Sequence, residues 1–135
     1  MKKLFSMIIV FGFLWCSVSF GEVKFLKSCG MDNNKDDWWE TIDFEFDLKN
    51  KKVIQKVVFT EKGFNYFKSL TPQDVDGKIQ ISEWKINKID GEVIVFEYIS
   101  KFGGKTVSKA NFDKKQITHE VFSSTISFLN TVNCK

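Results

Sequence analysis

Between residues 41 and 48 the chain alternates without a break. Ile42, Phe44, Phe46 and Leu48 fall on one side, and Asp43, Glu45 and Asp47 on the other. A repeat of two marks a strand with one face in a core and one in water. Similar runs predict strands over 22–29, 53–60, 78–89, 92–100, 106–112, 116–122 and 124–132. In the fifth of these eight, Val93 and Val95 oppose Ile94, Phe96 and Tyr98, so apolar residues on both faces predict a central, well-covered strand. The joins are short and polar: Lys49 to Lys52, Asp90-Gly91, Gly103-Gly104 and Asp113 to Lys115. Asp90-Gly91 reads as the two-residue loop of a type I′ hairpin, and a bulge is expected near Glu83. Glu61-Lys62-Gly63 reads as a turn. After it, Phe64, Phe67 and Leu70 fit either extended chain or one or two helical turns. Eight strands at hairpin spacing predict an all-β fold, an antiparallel meander closing into a small barrel or sandwich. Closure would remove the free edges that a lone meander leaves.

The first 21 residues do not belong to that pattern. Lys2 and Lys3 precede an uncharged apolar run from Met7 to Trp15, and Ser19 and Gly21 place small side chains at −3 and −1 of a cut before Glu22. This is the three-part secretory signal, with a cut before Phe20 as the nearest alternative. The expected organisation is therefore a signal over 1–21 and a single β-domain over 22–135, periplasmic or secreted. No second apolar run is long enough to span a membrane.

Removal of the signal changes the balance of charges and cysteines. The full chain carries a formal +3, whereas 18 lysines against 17 acids leave +1 after the cut. Arginine, the residue best suited to bidentate grip on phosphate and guanine, is absent, and the lysines are interleaved with acids. Nucleic acid is therefore excluded as a partner class. Cys16 leaves with the signal, so Cys29 and Cys134 remain, one near each end of an exported chain, and are expected to form a disulfide.

Candidate chemistry is sparse. Asp32, Asn34, Asp36, Glu40 and Asp43 stand at positions 1, 3, 5, 9 and 12 of a loop, as oxygen ligands of calcium would. Asp37 replaces the glycine of such a loop at position 6, Trp39 the aliphatic at position 8, and Asp43 the closing glutamate. A second acidic turn runs from Asp74 to Glu83 but has Pro72 at its first position. Acidic turns without metal are the competing reading, and no other cofactor is indicated. Trp38 and Trp39 are adjacent, so a strand would send one into the core and leave the other as a stacking platform. With Trp84 and Tyr98 they are the candidates to line a pocket for an apolar or sugar-like ligand, against the alternative of aromatic core filling. His119 is the one histidine and has no nucleophile motif beside it, so a structural or surface role is expected. The paired acids Asp43, Glu45 and Asp47 read as the wet face of their strand rather than as a catalytic pair.

The stretch Trp84-Lys85-Ile86-Asn87-Lys88-Ile89-Asp90-Gly91-Glu92 resembles a hairpin of uncharacterised small exported bacterial β-proteins, which share a signal peptide and a cysteine near each end of the mature chain. That resemblance implies a small β-domain without assigned activity. A looser likeness is to the periplasmic lysozyme inhibitors, small disulfide-tied β-barrels, none of whose inhibitory loop motifs occur here. The expectation is a non-enzymatic exported module that binds a small apolar or sugar-like molecule or an envelope or extracellular protein. A calcium-dependent structural or adhesive module is the second reading, and a carboxylate-based hydrolase the third.

Overall fold

The computed structural model describes residues 22–73, 75–100, 103–122 and 127–135, so the expected export signal over 1–21 lies outside the described residues. Eight strands follow one another: β1 Val23–Leu26, β2 Trp39–Asp47, β3 Lys52–Phe59, β4 Ile79–Asp90, β5 Val93–Ile99, β6 Lys105–Asn111, β7 Gln116–Phe122 and β8 Ser127–Asn133. Each is antiparallel to its neighbour in sequence, giving a single sheet in the order β1 to β8. The sheet curls into a half-barrel. The all-β meander, its strand number and the bond between Cys29 and Cys134 are as the sequence predicts.

The alternation in β2 translates directly into burial. Phe44 and Phe46 are sealed on the concave side with Val53, Trp84, Ile86, Ile94, Phe96, Ala110 and Ile117, while Glu45 is exposed on the convex side. The aromatic rings meet edge-on, with Phe46 and Phe96 perpendicular at 5.3 Å between centroids, an arrangement the ring quadrupole favours. β5 is covered on one side only. Ile94 and Phe96 are fully buried, but Val93, Val95 and Glu97 on the opposite face are partly exposed, and Glu97 is paired with Lys105 of β6 at 3.0 Å.

Four local expectations are corrected. The sheet does not close along its length. β1 has four residues and pairs with β2 alone, and the two ends of the chain are joined by Gly30 N–H to the Asn133 carbonyl and Lys135 N–H to the Lys27 carbonyl, both 2.8 Å, together with the disulfide. The bulge in β4 sits at Asn87, between the pairs Ile86–Phe96 and Lys88–Val95, rather than near Glu83. That extra residue shifts the register, so Asp90 pairs with Val93 and the hairpin loop becomes Gly91-Glu92. Positive φ is then needed at the first loop position only, where Gly91 has +58°, so no type I′ turn forms. Finally, residues 61–63 open a helix, α1 (Glu61–Leu70), instead of making a turn. Thr60 starts it by accepting a hydrogen bond from Gly63 N–H at 3.0 Å, as N-cap residues do.

Helix α1 lies against the end of β3 through Phe59 and Phe67, whose ring centroids are 5.3 Å apart. Gly63 makes this docking possible. A Cβ there would lie 1.7 Å from the carbonyl oxygen of Trp38, so the helix approaches the chain before β2 as closely as backbone permits. Trp38 then stacks on Tyr66, 5.0 Å apart and 10° from parallel.

Candidate functional site

The curl of the sheet leaves a cavity of about 470 Å³ on the concave side, near the disulfide, that opens to solvent. Ile42 and Phe44 of β2 and Val132 of β8 supply apolar wall, and Cys29 and Gly30 contribute where the two ends of the chain meet. Four polar side chains complete the lining: Trp39 of β2, Gln55 of β3, His119 of β7 and Asn130 of β8. None of these nine residues carries a formal charge at neutral pH once the state of His119 is considered. Burial alone pushes that imidazole down from 6.5 to about 4, because an ion is poorly solvated between Phe44 and Trp84, whose rings lie 6.1 and 6.2 Å away.

His119 is placed by the β6–β7 register, which sets it opposite Ser108. Ser108 Oγ lies 2.6 Å from His119 Nδ1. A serine against a histidine is the first part of a nucleophile–base pair. Here Ser108 is fully buried, with no surface from which to reach a substrate, and the lowered basicity of the imidazole weakens it as a base. The contact instead satisfies a hydroxyl that would otherwise be buried alone.

A second polar chain runs across β3 and β4. Trp84 Nε1 donates to Ser82 Oγ, and Ser82 Oγ donates to Gln55 Oε1, each at 3.0 Å. Trp39 Nε1 is the exception to this bookkeeping of partners, buried with none among the described residues.

The four aromatic residues singled out from the sequence therefore separate. Trp39 lines the cavity. Trp38 stacks with Tyr66 and meets Phe67 of α1, and it also touches Trp39 edge-on with 6.1 Å between centroids, so the two adjacent indoles stay in contact instead of diverging to opposite faces as strand alternation predicts. Trp84 is 7% exposed and belongs to the core, with Tyr98 packed against it at 5.3 Å. Gln55 and Asn130, which line the cavity, carry no sequence signal, since isolated amides in strands are common. Ser108 and His119 become a pair only through register. Their one hint is that each stands where strand alternation points inward.

The acidic loop candidates are dispersed. Asn34 Oδ1 accepts from Trp38 N–H at 3.0 Å and its Nδ2 donates to the Trp39 carbonyl at 2.7 Å. Asp43 Oδ1 accepts from Ser28 N–H at 2.9 Å, and Asp32 Oδ2 from Asn133 Nδ2 at 3.1 Å. Asp36 and Glu40 are exposed. Among the described residues no three His, Cys, Asp or Glu side chains gather as a metal site would require. In the second acidic turn, Asp74 lies outside the described residues. The third acid of the β2 face, Asp47, is held below the usual carboxylate range by hydrogen bonds from Asn50, as in a capped turn.

No helix among the described residues is long and apolar enough to cross a membrane. Comparison with protein-family models, with curated proteins and with solved structures finds no match.

Proposed function

We propose that this protein is an exported, non-enzymatic binding module that holds a small molecule in the concave cavity of its half-barrel. The observation that carries the reading is the cavity itself. Its volume of about 470 Å³ falls within the range of small-molecule sites, roughly 300–1,000 Å³, and an apolar wall with a few placed polar groups is their usual lining. The disulfide supports export, since such bonds persist in oxidising compartments.

The test is a titration of the intact, disulfide-bonded protein with N-phenyl-1-naphthylamine, an uncharged dye whose emission rises in apolar surroundings. Saturable binding near one equivalent is expected. Asn130→Trp, a change at an exposed position of the lining, should reduce it by at least about ten-fold, equivalent to ~1.4 kcal/mol. Absence of saturable binding, or an unchanged affinity in Asn130→Trp, counts against the cavity as the site.

A further inference from the structure

The cavity lining has a one-sided hydrogen-bonding character, and this specifies the chemistry of what it holds; the inference rests on the cavity being the binding site proposed above. Start from Trp84. An indole Nε1–H can only donate, so Ser82 Oγ accepts from it and must direct its own hydrogen onward. The acceptor at 3.0 Å is Gln55, which therefore presents its oxygen to Ser82 and keeps its NH₂ group as the free end. On the other side, Ser108 is fully buried, and His119 Nδ1 is the one acceptor its hydroxyl hydrogen meets among the described residues. Were Nδ1 protonated, that hydroxyl hydrogen would be buried without a partner. Nδ1 is thus the acceptor, and the imidazole carries its hydrogen on Nε2, the ring nitrogen left for the cavity. Trp39 Nε1–H also lacks an acceptor among the described residues, but it is sealed within the wall, where no ligand atom can reach it.

Two donors from two strands, Gln55 of β3 and His119 of β7, thus line one cavity beside apolar walls, with no cationic or anionic side chain among the lining residues. We infer that the cavity takes an uncharged, largely apolar molecule bearing carbonyl or ether oxygens, which accept hydrogen bonds from Gln55 and His119. A hydrocarbon would leave the donors unmet, and a carboxylate would lose its hydration without meeting a countercharge.

Three probes of matched shape decide this on the intact protein: 2-acetylnaphthalene, 2-ethylnaphthalene and 2-naphthoate, each measured by displacement of the dye, with the ¹⁵N-labelled imidazole resonances followed by NMR. The ketone should bind about ten-fold or more tightly than the hydrocarbon, the scale of one hydrogen bond recovered in a desolvated site. The His119 Nε2 resonance should move with the ketone alone. Gln55→Met should shrink the ketone's advantage, and Ser108→Ala/His119→Phe gives the same test through the second donor should the first variant fold poorly. Equal affinities for ketone and hydrocarbon, or tightest binding of 2-naphthoate, overturn the inference while leaving the cavity as the binding site. Dye binding that Asn130→Trp blocks, with no displacement by any of the three probes, also overturns it and leaves the site standing. Failure of the dye to bind as well removes both.

Discussion

Ser108 and His119 oppose each other across the β6–β7 ladder, with 2.6 Å between Oγ and Nδ1, and the imidazole of that pair is held neutral by burial. The consequence is a dependence of stability on pH. The unfolded chain takes up a proton at this histidine below about 6.5, whereas the folded protein does so only below about 4. Between those values the unfolded state binds more protons, so stability falls as the pH falls. The loss at pH 4.5 is about 2–3 kcal/mol relative to pH 7.5. Ser108→Ala/His119→Phe removes both partners and leaves no orphaned hydroxyl. In urea unfolding the wild-type protein should lose that amount of stability relative to the double variant between pH 7.5 and pH 4.5, and a constant difference across the range would refute a neutral buried histidine.

The disulfide joins Cys29 to Cys134 across a separation of 105 residues and holds the two edge strands where backbone pairing is limited to two hydrogen bonds. Replacement of both cysteines by alanine should lower the unfolding free energy by about 3–5 kcal/mol, as the chain-entropy model gives for so long a loop. Because Cys29 lines the cavity, dye affinity should fall as well. Equilibrium unfolding and the dye titration check the two effects separately.

Gly63→Ala tests the docking of α1. The added methyl has no room against the Trp38 carbonyl, and the helix must retreat. A loss of about 3 kcal/mol is expected from such overpacking, together with loss of the Trp38–Tyr66 stacking signal in near-ultraviolet circular dichroism. Thr60→Ala, which removes the N-cap and the hydroxyl's bond to the Asp37 carbonyl, should cost about 1–2 kcal/mol and keep that signal.

Asn34 separates a structural loop from a calcium-dependent one. Its amide already bridges Trp38 N–H and the Trp39 carbonyl. Asn34→Ala should therefore destabilise the protein by about 1–3 kcal/mol through those lost bonds. Thermal unfolding should show the same decrease with calcium and with EDTA. A decrease confined to the calcium-loaded sample would revive the acidic loop as a metal site.

How far the sequence reaches depends on the range of the interaction. The inward face of β2, Ile42, Phe44 and Phe46, is legible because strand alternation is local and strong. The disulfide follows from the two cysteines that remain, one near each end, when residues 1–21 are read as an export signal, and the absence of arginine bears on partners without any structure. The hairpin at Gly91 is legible as a turn but not in its type, because the bulge at Asn87 sets the register and no residue there announces it. Trp84 and Trp39 look alike in sequence. Their different places, one in the core and one at the cavity, follow from the curl of the sheet, a property of all eight strands together.

Local alternation, turn residues and composition by themselves determined that this chain is an antiparallel β meander tied at its ends, since each acts over a few residues or over the whole count. That the sheet stops short of closing, that Ser108 faces His119, and that Trp39, Gln55 and His119 share one cavity emerges once the strands are paired. Those relations join residues up to 80 positions apart through strand register, and register belongs to the pairing of strands rather than to any one of them.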